Sequence, residues 1–153
     1  MKKYIVLDFV DTGIINITTN TLDAHSAYKV YKFKREIDKR YKDILDERLS
    51  LISSVFGQNY DAEINDLKRL TNIGEGKLTE SEASRLKDLR EKNDKANKLI
   101  NEMLNDDIKL DNVQPIPYED WNALKKENDI RMPFDFEKAL EGIFWSPLKE
   151  NDF

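Results

Sequence analysis

Asp11-Thr12-Gly13 lies between apolar residues in the stretch VLDFVDTGIINI. A carboxylate presented in this way can activate water when a second carboxylate faces it and the pair shares one proton. Asp8 adds an acid to the same stretch, and Asp106, Asp107 and Asp111 stand far along the chain. Brought together, several of these carboxylates would make an oxygen-ligand site for magnesium. A third chemistry is offered by Lys29, Lys32, Lys34, Arg35, Lys39, Arg40 and Lys42, which alternate with Tyr28, Tyr31 and Tyr41. Cations interleaved with aromatics can hold phosphates and stack bases.

Each pattern also has a plainer explanation. The Asp-Thr-Gly triplet resembles the catalytic loop of aspartic proteases, of which the retroviral members supply one loop per subunit. Those enzymes are almost entirely β, whereas most of this chain reads as helix. Asp and Gly are also what a three-residue hairpin turn requires, so a turn is the expectation here. Asp8 is expected on the solvent face of a strand. Glu36, Asp38, Asp43, Asp46 and Glu47 interrupt the basic segment, the mark of a solvated helix face laced with weak ion pairs. Cysteine is absent and His25 is the single histidine. Disulfides, thiolate nucleophiles and Cys-based zinc sites are therefore excluded. No catalytic residue, metal ligand or cofactor is expected, and the sequence does not read as an enzyme.

The elements that would position these residues follow from periodicity. Over residues 3–19, Ile5, Leu7 and Phe9 alternate with Tyr4, Val6 and Asp8, and Ile15 and Ile17 continue the pattern beyond the turn. This predicts a β-hairpin. Residues 20–56 predict one long helix, capped by Asn20 or Thr21 and closed by Gly57. Its stripe includes Val30, Phe33, Ile37, Tyr41, Ile44, Leu49 and Phe56. At about 1.5 Å per residue such a helix is a rod on the order of 50 Å long, which needs a partner along its side. A shorter helix is expected over 60–70 and a loop at Asn72-Ile73-Gly74-Glu75-Gly76. Thr79 and Glu82 form a capping box that opens a helix to about Leu104, with Leu86, Leu89, Ala96, Ile100 and Met103 on one stripe and Asn93 on the same line. This helix is expected to lie antiparallel to the first. Residues 108–113 alternate as a third strand, and 118–126 and 134–144 read as short helices. Trp121, Phe134, Phe136, Phe144 and Trp145 are expected either to plug the core or to anchor a partner.

The predicted fold is α+β and mainly α, in a single domain of 153 residues. A β-hairpin at 3–19 and a later strand form a small antiparallel sheet, 20–105 form a long antiparallel helical hairpin of coiled-coil type, and 106–153 hold the strand and short helices. Charged residues make up 36% of the sequence and apolar ones 39%, and the net charge is −5. The mean hydropathy is −0.70. That acidity argues against a nucleic-acid backbone as partner, which calls for clustered positive charge. No stretch is long and apolar enough for a signal segment or a membrane span, so a soluble intracellular protein is expected.

Three further segments carry a likeness at the level of element order: AYKVYKFKREIDKRYKDILDERLSLI, then NKLINEMLNDDIKLDNVQPIPYEDWNAL, then FDFEKALEGIFW. With the opening KKYIVLDFVDTG, this order resembles small uncharacterised phage proteins in which a Lys/Glu-rich helix precedes a Pro-Ile motif. The resemblance implies a phage product of virion or accessory type, placed in the host cytoplasm or the virion, and it brings no catalytic residues. The expected function is therefore contact with a protein partner or with copies of itself, through Trp145, Phe144, Ile37, Tyr41 and Leu49. A second expectation is an acidic inhibitor that imitates DNA toward a host defence enzyme, using Glu75, Glu80, Glu82, Asp88, Glu91, Asp94, Asp106 and Asp107.

Overall fold

A computed structural model describes residues 1–147, the side chain of Glu75 excepted. The described chain is mainly helical: α1 (Lys3–Asp11), α2 (Ala24–Phe56), α3 (Tyr60–Ile73), α4 (Glu80–Leu104), α5 (Tyr118–Glu127) and α6 (Phe134–Ala139), with two short strands, β1 (Ile116–Pro117) and β2 (Trp145–Ser146). These divide into two compact units whose boundary falls within α2. Residues 1–43 and the chain from 105 onward form unit 1, and residues 44–104 form unit 2.

The N-terminal segment is a helix, not the expected hairpin. Ile5, Val6 and Phe9 are all buried, a spacing that belongs to one helix face and that no strand could turn to one side. The alternation of Tyr4 to Asp8 was compatible with both periods, and a run this short does not separate them. Asp11-Thr12-Gly13 is accordingly the end of α1. Thr12 donates from both its backbone N–H and its hydroxyl to the Asp8 carbonyl, and the Gly13 N–H donates to Val10 O at 3.0 Å. Gly13 has φ +80°, the left-handed conformation that closes many helices.

The sheet also differs from expectation. β1 and β2 pair in parallel, Ile116 with Trp145 and Pro117 with Ser146. Residues 108–113 form no strand. Their neighbour Asp107 makes an isolated antiparallel bridge to Lys2, flanked by the Ile108 N–H on Met1 O at 2.7 Å and the Lys3 N–H on Asp106 O at 3.1 Å. Asn112 then takes φ +56°, which breaks any extended run.

The core of unit 1 is aromatic. Phe33 stacks on Phe144 with centroids 4.4 Å apart, and Phe9 meets both edge-on at 5.3 and 5.7 Å. Trp121 closes on Phe144 at 5.2 Å. Three elements distant in sequence are thereby fixed around Phe144. α2 is capped by Asp23 rather than by Asn20 or Thr21, its carboxylate accepting the Ser26 N–H at 2.7 Å. The buried Ser26 hydroxyl in turn donates to Asp120 of α5.

In unit 2, α3 packs on α4 through Leu70, Leu86 and Leu89, with Leu67, Ile73 and Leu78 around them. The capping box forms as its spacing requires. The Glu82 N–H donates to Thr79 Oγ1 and the Thr79 N–H to Glu82 Oε1, both at 3.1 Å. Lys92 reaches across to Glu63 at 3.0 Å, and Asp66 takes both Arg69 and Arg85. Hydrogen bonds from Arg69 and then Arg85 hold the Asp66 carboxyl below the ordinary carboxylate range.

Candidate binding cleft

A cleft of about 580 Å³ lies within unit 1, where the turn after α1 faces the loop between α5 and α6. One wall is Asp8, Thr12, Gly13, Ile14, Asn16 and Ile17, and the other runs from Asn128 to Pro133 and ends on Phe136. Both walls are made by helix ends. After α1, Gly13 turns the chain into a 3-10 turn at Ile14–Asn16, and Ile17 is buried. Lys34 of α2 fixes it there, its Nζ donating to Ile17 O at 3.1 Å.

The second wall ends α5 in a Schellman motif. The Ile130 N–H donates to Lys125 O at 2.9 Å and the Asp129 N–H to Lys126 O at 3.4 Å. Asp129 occupies the left-handed position, φ +49°, where glycine is usual. Asn128 clasps the two walls together. Its Oδ1 accepts the Thr18 N–H at 2.8 Å, while its Nδ2 donates to Thr18 O at 2.9 Å and to Leu124 O at 3.0 Å. The side chain thus joins Thr18, 110 residues away in sequence, to the end of α5.

Ile14, Ile17, Ile130, Met132 and Phe136 are buried or half-buried, whereas Asp8, Thr12, Asn16, Asp129 and Arg131 are exposed. The cleft is therefore apolar in its depth and polar at its mouth, the distribution of a binding pocket. Arg131 meets Asp129 at 3.8 Å, with both side chains close to full exposure, so the contact contributes little. The lining includes neither cysteine nor histidine. Among the described residues, no group of three or more His, Cys, Asp or Glu side chains could hold a metal ion.

Behind the cleft, Glu137 of α6 braces the core. Its Oε1 accepts the Trp121 indole N–H at 2.9 Å and Lys125 Nζ at 2.6 Å, while its backbone carbonyl accepts the Trp145 indole N–H at 3.0 Å. Burial works to raise this carboxyl. The hydrogen bonds from Lys125 and Trp121 outweigh it and hold the group below the ordinary carboxylate value.

The residues expected to contact partners are scattered. Ile37, Phe144 and Trp145 are buried in the chain's own core, at 0%, 1% and 8% exposure. Tyr41 is half-buried and its hydroxyl donates to Asp11 at 3.2 Å. Leu49 alone of the five is open to solvent. Trp121 joins the core, so the C-terminal aromatics act mostly as a plug; Phe134 is the exception at 74% exposure. Asp8, Asp11, Asp107 and Asp111 form no common site: Asp11 takes Tyr41, Asp107 takes Lys2 and Asp111 takes Arg40. Of the acids in the DNA-imitation scheme, Glu82 is occupied by the cap of α4 and by Arg69, and Asp107 by Lys2. The side chain of Glu75 lies outside the described residues.

The cleft itself escaped sequence reasoning because its walls are more than 100 residues apart in sequence. The one local sign was Asn128-Asp129 after a helical stretch, a pair that tolerates the left-handed turn. Among the described residues, no helix is long and apolar enough to cross a membrane. No protein-family model, curated protein or solved structure matches the chain.

Proposed function

We propose that this chain is a non-enzymatic phage-type structural or accessory protein, and that it works by seating an apolar side chain of a protein partner in the Gly13–Met132 cleft. The observation that carries this reading is the cleft's construction: an apolar interior, a polar mouth, and walls pinned to one another by Asn128. Pinned walls keep the ordering cost of binding small. Phe134, exposed next to Pro133 of the cleft lining, extends the apolar surface that a partner would cover.

The test is a photo-crosslinking residue placed at Met132, with the same residue at exposed Ser53 of unit 2 as control. A discrete adduct at Met132 and none at Ser53 is the expected result in cells producing the full set of partners. Light scattering of the purified protein at low and high salt then separates a second copy of the chain from a foreign partner. Equal labelling at both positions would refute the cleft as the contact site.

A further inference from the structure

A second surface of unit 1 has a different chemistry. Tyr28, Lys32, Arg35, Lys39 and Lys42 follow one another at steps of three or four residues, and Tyr31 stands three from Tyr28 and four from Arg35, which sets all six on one face of α2. Tyr28 and Tyr31 are 57% and 56% exposed and lie nearly parallel, with an interplanar angle of 15°. Lys32 Nζ stands 5.0 Å from the centre of the Tyr28 ring. All six line one surface hollow of about 690 Å³, together with Glu36, Asp38, Asp43, Asp111 and Asn112.

The sequence alone suggests that the acids of this face cancel its cations. These acids pair with Arg40 and Lys42 instead, although one guanidinium does not neutralise three carboxylates. Arg40, which does not line the hollow, draws Glu36 at 2.8 Å, Asp111 at 2.9 Å and Asp43 at 3.8 Å. Lys42 takes Asp38 at 3.2 Å. Among the described residues, no salt bridge engages Lys32, Arg35 or Lys39. Three cations and two open tyrosine rings thus share one face, inside a protein whose net charge is −5.

We propose that this face of α2 binds single-stranded nucleic acid without sequence preference, its phosphates on Lys32, Arg35 and Lys39 and its bases against Tyr28 and Tyr31. Open aromatic rings beside a short line of cations favour a single strand over a duplex, because only unpaired bases have free faces to stack. An acidic peptide would use the cations and leave the rings idle.

Fluorescence polarisation with a labelled short oligothymidylate tests the proposal on the intact protein, with a duplex of equal length and polyglutamate as competitors. Three phosphate contacts on a single strand predict a slope of roughly −2 in log K against log salt, or about a twentyfold loss between 50 and 200 mM salt. Tyr31→Ala should weaken binding by about fivefold or more, and Arg35→Glu with Lys39→Glu should abolish it. Lys95→Glu on the exposed side of α4 should change nothing. Circular dichroism confirms that each variant folds. No binding at low salt would overturn the proposal. So would competition by the duplex equal to that of the single strand, or binding of polyglutamate that is indifferent to Tyr31→Ala.

Discussion

Replacing Glu137 with alanine removes the group that two buried or half-buried donors share. Trp121 is fully buried, so its indole N–H would be left with no partner, whereas Lys125, one-fifth exposed, can turn to water. A lost bond to a charged acceptor plus an orphaned buried donor costs about 2–4 kcal/mol. With a total stability of about 5–15 kcal/mol, that is a large share. The urea midpoint should fall by roughly 1–2 M. Tryptophan emission is the right signal, because Trp121 and Trp145 both lie in unit 1 and both contact Glu137. The pH dependence sharpens the test. The carboxyl is held below its ordinary value of 4.5, so its contribution is complete above that pH and is lost as pH falls through the lower value of the folded state. Glu137→Gln keeps an acceptor for Trp121 but never carries charge. The gap between wild type and Glu137→Gln, open at about pH 7, should narrow by about pH 3. An alanine variant with an unchanged midpoint, or a glutamine gap independent of pH, would refute the bracing role.

Other substitutions probe separate links. Thr79→Ala removes one half of the capping box on α4 and should lower stability by about 1 kcal/mol in thermal unfolding followed by circular dichroism. Gly13→Ala meets no steric neighbour, so its cost is that of the backbone at φ +80°, about 1 kcal/mol; Asp129→Gly should conversely be neutral or stabilising by a few tenths of a kcal/mol. Trp145→Ala should destabilise by about 3–5 kcal/mol, whereas Leu49→Ala, at an exposed site, should stay within about 0.5 kcal/mol. Equal effects in urea titrations of the two would contradict their opposite burial.

The helices of unit 2 were legible because their signals are local. The Thr79–Glu82 box needs four consecutive residues, and the stripe of Leu86, Leu89, Ala96 and Ile100 needs one helix. The stripe of α2 was legible for the same reason: Val30, Phe33, Ile37 and Ile44 are all buried where the period puts them. The N-terminal segment was misread because helix ends and hairpin turns make the same demand, a residue at positive φ, and glycine answers both. The parallel pairing of Ile116 with Trp145 had no local signal, since two-residue strands are too short to show a period. The mixed charge of α2 was legible as well: Arg40 pairs with Glu36 and Asp43, and Lys42 with Asp38, at the three- and four-residue spacing of one helix. Spacing could not show that Asp111, 71 residues further on, joins the same guanidinium.

Asn128 holds together segments that the ribosome delivers at very different times. Unit 2 is continuous in sequence, whereas unit 1 is drawn from both sides of it. The first part of unit 1 therefore emerges with Phe9 and Phe33 before Trp121 and Phe144 exist to cover them. At ordinary translation rates that interval is on the order of several seconds, long compared with the folding of a small helical unit. Unit 2, continuous in sequence, can close during the wait. A ribosome-stalled chain whose residue 104 has just cleared the exit tunnel should accordingly protect α3 and α4 from protease while α1 remains cleavable. Protection of α1 at that length would show that the N-terminal segment finds other cover first.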